Sequence, residues 1–523
     1  MNKLITTLIV VLTAANMNAQ QITELPKLVV GISVDQLRSD YLEFLYNAFG
    51  EKGFKRLIQN GYLYDDVDFA MEYTDRASTM ATVYTGAYPF HHGVISASIF
   101  NGNNLRIESI FNDIGFMGNY TTQSVSPKSI KTSTITDELK SASKGLSRVY
   151  AIAPEMDQAL IGAGHAGNGA FWIENLSGRW ASTTFYKDMP FYIERYNRNE
   201  GLERRIDNEV WQPLKPVSEY SLLPYCSDDW NFKHTFSGLK KDKYKIYKTS
   251  GIVNKEINTI AEMLITKENL GKKDNPDFLS VSYSARTFLD GNNSHYSLEI
   301  QDTYLRLDNE IASLLDIIEQ NVGLNNAVIF LTSSGNLNED EIPAERFNIP
   351  YGEFRPDRCA TLLNTYLMAL YGQENWVLGY NNQQIYLNNS LIDDKKLDLK
   401  EFQSKAAEFV IQFSGVQDVV TSSQLLHGNW NQNTSKFRNG FNKSVSGDLI
   451  LSIQPGWQIV FDDGVTTNKS VRRDAVKTPF ILYHPSIKGE KIKTRIDATE
   501  IAPTVSKVLR IRSPNACNSE SLK

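Results

Sequence analysis

Asp35 is the first residue in the chain whose type and position could do chemistry. It ends the apolar run Lys27-Leu-Val-Val-Gly-Ile-Ser-Val-Asp35. Such a run reads as a buried parallel strand that delivers a carboxylate to the C-terminal edge of a sheet, where open α/β sheets place their ligands. A carboxylate there can ligate a metal if imidazoles and further carboxylates join it, or form an ion pair if cations do. Asp290 and His295 are the candidates for a metal pair, yet Asp290-Gly-Asn-Asn-Ser294 has ordinary turn composition. Arg76 and Lys477 are the candidate cations, with a solvated loop side chain as the plainer reading of Lys477.

The elements that must position these residues follow from periodicity. Strands rich in β-branched residues are predicted at Arg148–Ala153, Phe278–Tyr283, Ala327–Thr332 and Pro479–Tyr483. A helix is predicted from an Asp302 cap through Leu307, Ile311, Leu314, Leu315 and Ile318 to a glycine stop at Gly323. Alternation of this kind predicts an α/β fold, a central mostly parallel sheet sandwiched by helices. Two stretches break the alternation and are expected as cap insertions, the aromatic, charged segment at about 172–250 and the Asn/Gln-rich segment at about 340–446. Residues 20–523 are read as one α/β domain carrying both.

Met1-Asn-Lys3, the apolar Leu4–Leu12 and the small residues up to Ala19 have the three regions of a secretory signal peptide, which places the mature protein in the periplasm or outside the cell. That apolar run is too short to span a bilayer, and no later segment of the sequence has the composition of a membrane helix. Cys226, Cys359 and Cys517 permit at most one internal disulfide. A formal net charge of −6 gives no reason to expect nucleic acid as a partner.

The Asp35 strand, the segment Tyr84-Thr-Gly86-Ala-Tyr-Pro89-Phe-His-His92-Gly93 and the helix segment Asp302-Thr-Tyr-Leu-Arg-Leu-Asp308 together resemble the alkaline phosphatase superfamily. The likeness is to secreted phosphate-insensitive bacterial alkaline phosphatases and to nucleotide pyrophosphatase/phosphodiesterases, and it spans about residues 26 to 515. The resemblance implies a phosphate-ester hydrolase with two zinc ions about 4 Å apart, a Thr or Ser nucleophile at a helix N-terminus and six Asp/His ligands.

Set against that pattern, only Asp35 survives of the ligands. Counting back ten residues from Gly86 puts Arg76 at the nucleophile, with Thr74 or Ser78 as nucleophile if the register has slipped. The Asp-x-x-x-His ligand pair falls on Thr287 and Gly291, and the spacing from Asp290 to His295 is one residue too long to replace it. The Asp-His pair falls on Ser334 and Gly335, and the last histidine on Lys477. The phosphate-holding Lys-x-Arg falls on Glu155 and Asp157, and a phosphate-binding asparagine near Ala97. His91, His92 and His165 match positions that are structural in the relatives, and Gly162–Trp172 is well kept.

The resulting expectation is an exported pseudophosphatase, non-catalytic and free of cofactor, serving as a binding or scaffold component for an unidentified protein or cell-envelope partner. The alternative is a phosphomonoesterase or phosphodiesterase with a rearranged site, which alone would need Zn2+. Arg76, Lys477 and Asp35 are expected to converge where the metals would sit, and Glu155 with Asp157 to repel phosphate.

Overall fold

Strand β1 (Leu28–Asp35) is buried along its whole length because it lies at the middle of a ten-stranded sheet. The computed structural model describes residues 24–221, 223, 231–239, 241–288, 297–335, 348, 350–428, 430–462 and 476–522. The segment at 1–19, Cys226, Asp290, Gly291 and His295 lie outside these.

The sheet also contains β2 (Gly61–Tyr64), β3 (Gly118–Asn119), β4 (Val149–Ala153), β5 (Gly169–Ile173), β6 (Trp180–Thr183), β7 (Asp277–Ser284), β8 (Ala327–Ser333), β9 (Phe480–Tyr483) and β10 (Glu490–Ile492). Its order is β10-β2-β9-β8-β1-β7-β4-β5-β6-β3. The centre, β8-β1-β7-β4-β5, is parallel, whereas β9 runs antiparallel to β8 and β6 antiparallel to β5. Register sets Asp35 beside Ser284 and Val34 beside Ser333, so three strands end together at the same edge.

Side chains alternate across β1, as strand geometry requires. Leu28, Val30, Ile32 and Val34 face one apolar layer, shared with helices α3 (Val253–Lys267) and α4 (Ser297–Asn321). Val29 faces the other layer, shared with α1 (Arg76–Thr85) and α2 (Met156–Ala163). On that second face Gly31 is required: a Cβ there would lie 2.6 Å from Phe330 Cζ and 3.0 Å from the Tyr84 hydroxyl. Gly86 ends α1 at φ +63°, against Cys517. Among the described residues Cys359 and Cys517 are free thiols.

The aromatic stretch after Trp172 first extends the sheet as β6 and then packs helices on its α3/α4 face. Within and just beyond 340–446, strands Val377–Asn381, Gln384–Leu387, Val416–Thr421 and Leu449–Ile453 build a separate antiparallel sheet around its own core of Trp376, Phe402 and their neighbours.

The helix expected to start at an Asp302 cap is instead already formed at Ser297, placing Asp302 inside α4. The reason is tertiary. The buried Asp302 carboxylate accepts from Trp211 Nε1 at 2.6 Å, Leu214 N at 2.6 Å and the Tyr220 hydroxyl at 2.8 Å, with Arg306 Nε at 2.6 Å balancing its charge.

Candidate functional site: an ion-pair cluster at the sheet edge

Beyond β1 the chain turns sharply. Gln36 takes φ +62°, a left-handed conformation that side chains other than glycine rarely adopt. Its amide donates to Ser334 Oγ at 3.2 Å, and that hydroxyl donates to Asp35 Oδ1 at 2.7 Å. The buried Asp35 carboxylate is thereby fixed from the side of β8.

Helix α1 delivers the cation. Asp75 caps it, accepting from Ala77 N at 2.8 Å and also from Ala97 N at 2.8 Å, while Ser78 completes a reciprocal capping box. A positive side chain in the first turn of a helix opposes the macrodipole, so Arg76 needs anionic partners. It finds two. Its Nε and Nη2 each reach an Asp157 carboxylate oxygen at 3.1 Å, and its Nη1 lies 3.5 Å from Asp35 Oδ2. Asp157 sits in the first turn of α2, where a negative charge is favoured.

Glu155, the residue before α2, holds two further cations: Lys248 Nζ at 2.6 Å and Arg286 Nη1 at 3.2 Å. Arg286 Nε also lies 3.6 Å from Asp35. The cluster therefore sets three carboxylates, Asp35, Glu155 and Asp157, against three cations, Arg76, Lys248 and Arg286.

Charge states follow from this arrangement. Burial works against the Arg76 charge, yet Asp157, Glu155, Asp35 and Asp75 raise its pKa well above the ordinary arginine value. Burial would push Glu155 up, but Lys248, Arg76 and Arg286 pull it down to about 2. Lys248 is pushed below the ordinary lysine range by burial, against the opposing pull of Glu155. Asp75 is pushed up to about 6, chiefly by burial.

The expected meeting of Arg76 with Asp35 is present, and Lys477 does not join it. The Lys477 side chain is 54 % exposed and pairs with Asp66 at 3.4 Å, while its carbonyl accepts from Ser39 N at 2.9 Å. Its backbone is tied near the sheet edge, but its side chain is drawn outward by the acidic surface at Asp66. Glu155 and Asp157, expected to repel phosphate, are each paired with neighbouring cations. Thr287 approaches the edge through its amide, which donates to Gln36 Oε1 at 3.4 Å, and Gly335 packs on Phe69 at φ +65°.

Arg286 and Lys248 escaped the sequence reading. A signal for Arg286 was available: it lies two residues past the end of β7, the strand paired with β1, and Ala285 N continues the ladder by donating to the Asp35 carbonyl at 2.9 Å. Lys248 offered none, since it arrives from the end of the aromatic insertion.

The histidines have structural partners. His92 is buried, with burial lowering its pKa to about 3, and lies 3.2 Å from Thr82 Oγ1 while accepting from Val94 N. His165 bridges Asp137 at 2.9 Å and the Ile130 carbonyl at 2.8 Å.

The donor chemistry around Asp35 does not fit zinc. The groups reaching its carboxylate are a serine hydroxyl and two guanidiniums, and a guanidinium cannot serve as a ligand. Among the described residues no group of three His, Cys, Asp or Glu side chains is placed to hold a metal ion.

The sheet order, the helices on both faces and the carboxylate at the end of the central strand define an alkaline phosphatase superfamily fold. Residues 29–477 match the family described as type I phosphodiesterase / nucleotide pyrophosphatase, and the chain belongs to it. It is 30% identical over 530 residues to a Myroides odoratus protein named calcium-transporting ATPase, covering 95% of this chain and 94% of that one. It is 27% identical over 512 residues to alkaline phosphatase PafA of Elizabethkingia meningoseptica, covering 94% and 92%. A crystal structure of wild-type PafA superposes with a TM-score of 0.83 at 24% identity over 96% of this chain and 99% of that one, a likeness of fold.

Proposed function

We propose that this chain is an exported, non-catalytic member of its family that works without zinc, as a binding or scaffold component of the cell envelope. The carrying observation is Arg76, which opens α1 and spans Asp157 and Asp35 with its guanidinium. An arginine cannot replace a hydroxyl nucleophile, and its fixed positive charge lies beside Asp35, the carboxylate that matches a metal ligand under the resemblance. Ser78, the neighbouring hydroxyl, is held in the capping box of α1, donating to the Asp75 carbonyl at 3.0 Å. Under this reading, protein cations provide the charge that two metals supply in a hydrolase.

The names of the relatives favour the rival reading, a metal-dependent phosphomonoesterase or phosphodiesterase with a rearranged site. The deciding experiment is metal analysis of the purified protein combined with assays on p-nitrophenyl phosphate and bis-p-nitrophenyl phosphate, with and without added zinc. The expected result is no stoichiometric zinc and no turnover above a zinc-free control. Two tightly held zinc ions together with hydrolysis lost on Thr74→Ala or Ser78→Ala would overturn the proposal.

A further inference from the structure

Arg438 is half-buried, yet it has no ion-pair partner among the described residues. Its guanidinium carbon lies 4.0 Å from the ring centroid of Phe90 and 4.1 Å from that of Trp430. Both rings are held in place. Phe90, in the short helix Pro89–His92, packs on a small core that includes Leu425, Phe437 and Phe441. The Trp430 indole N–H donates to the Leu425 carbonyl at 3.1 Å. Arg438 itself is carried by the helix Gln432–Gly440, which starts at a reciprocal capping box between Asn431 and Thr434 and is anchored by the buried Phe437.

The last turn of a helix favours a cation, which accounts for a positive charge at this position but not for its isolation from carboxylates. The chain bears a net charge of −6, yet no Asp or Glu occurs between Asp75 and Glu108 or between Asp418 and Asp448, the two stretches that supply this surface. Glu72 meets the helix through its amide, which donates to the Lys436 carbonyl, and its carboxylate accepts from the Ser452 hydroxyl. His91 lies edge-on to Phe90, and burial, followed by the charge of Arg438, lowers its pKa, so it is neutral at pH 7.

Of the guanidinium nitrogens, only Nε is sealed from solvent without a partner. The terminal pair bonds to no described residue and is open to water. Two rings packed against the group fix its orientation and leave its outer N–H edge, a fork that accepts a carboxylate side-on. Beside it Trp430 is 46 % exposed and Leu426 is 38 % exposed. Exposed Trp and Arg with an apolar neighbour and no carboxylate is the composition in which protein–protein binding energy concentrates. A membrane surface would instead be met by a cluster of roughly four to eight free Lys and Arg side chains. Here Lys436 is the neighbouring cation on the helix, and Lys131 is engaged by Asn442 and Ser444.

From this arrangement we infer that the Arg438–Trp430 surface docks a protein partner through an acidic segment, with one Asp or Glu carboxylate on the Arg438 fork and an adjacent apolar side chain against Trp430 and Leu426. The surface shares no residue with the ion-pair cluster and would bind such a segment whether or not the chain hydrolyses esters.

The test is calorimetric titration of the full mature protein at low salt with the peptide acetyl-Gly-Leu-Glu-Leu-Gly-amide, its counterpart with Gln in place of Glu, digalacturonate, and vesicles of phosphatidylglycerol. The Glu peptide is expected to bind saturably with Kd of about 1 mM or tighter, and the Gln peptide at least about tenfold more weakly, the scale of one charge-assisted hydrogen bond. That comparison uses the parent protein and needs no variant to fold. Arg438→Gln is expected to weaken the Glu peptide about tenfold, and Arg438→Lys, which keeps the charge but loses the fork, about threefold. Equal affinity for the two peptides would overturn the proposal, as would the absence of saturable Glu-peptide binding up to about 20 mM. So would an affinity indifferent to both Arg438 substitutions, or tighter binding of digalacturonate or of the vesicles than of the Glu peptide.

Discussion

Replacing Arg76 by alanine probes the cluster most directly. In the intact protein Asp157 receives both fork contacts at 3.1 Å, whereas Asp35 receives a single longer one at 3.5 Å. After the substitution Asp35 keeps the Ser334 hydroxyl at 2.7 Å and Arg286 at 3.6 Å, so most of the penalty falls on Asp157. Breaking a buried pair by removing one partner costs about 3–5 kcal/mol. A cavity of about 290 Å³ lined by Arg76, Glu155 and Asp157 lets water approach Asp157, and the α2 N-terminus still favours its charge, which places the expected loss at the lower end, about 3 kcal/mol. An unfolding entropy of about 2.1 cal/mol/K per residue gives roughly 1 kcal/mol/K for a chain of this length, so the midpoint is expected to fall by about 3 °C in scanning calorimetry. Arg76→Ala/Asp157→Asn removes the stranded charge as well and should recover roughly 2 kcal/mol of the loss, read as non-additivity in a double-mutant cycle. An Arg76→Ala protein as stable as its parent, or strictly additive effects in the cycle, would refute the claim that these charges hold one another.

Three further outcomes are expected. Burial lowers the His165 pKa, but its bond to Asp137 outweighs this and raises the value above 6.5 in the folded protein, so its contribution to stability is full below pH 6.5 and fades as pH rises through the raised value; the melting-temperature gap between parent and His165→Asn should be widest near pH 5 and narrow towards pH 9. Gly31→Ala forces a methyl against Phe330 and should destabilise by about 1–3 kcal/mol in denaturant unfolding, with Phe330→Leu restoring part of the loss. Glu155→Gln leaves the wholly buried Lys248 without its carboxylate, and chemical denaturation at pH 7 should show a loss of about 3 kcal/mol that shrinks as pH falls towards 2, where parent Glu155 itself takes up a proton.

The parts of this site that could be read from sequence are those fixed by strand and helix ends. The apolar run ending at Asp35 is a local signal of a buried strand, and Arg76 was placed by its ten-residue distance from Gly86 under the resemblance; neither depends on a distant segment. Lys477 was misplaced because chain position locates a backbone and not the end of a flexible side chain, which here swings to Asp66. Asp302 was misread as a cap because its partners, Trp211, Leu214 and Tyr220, lie far away in sequence. Lys248 was missed for the same reason.

The losses that the resemblance assigns to this chain are not independent once the geometry is considered. Glu155 and Asp157 stand where relatives would carry Lys and Arg, and Arg76 stands where they would carry a hydroxyl beside metal. Each change alone would bury an unpaired charge: Asp157 without Arg76 lacks its cation, and Arg76 without Asp157 would face the positive end of α1 with only the longer Asp35 contact. Together they form a cluster whose charges balance, with the sign inverted at the phosphate-holding positions. On the proposed reading, a threonine restored at position 76 would therefore return a nucleophile beside Asp35 as the single retained ligand and strand Asp157 as well. On the proposed non-catalytic reading, rebuilding the phosphate site would require the charges at 76, 155 and 157 to change in concert, because each is held by the others.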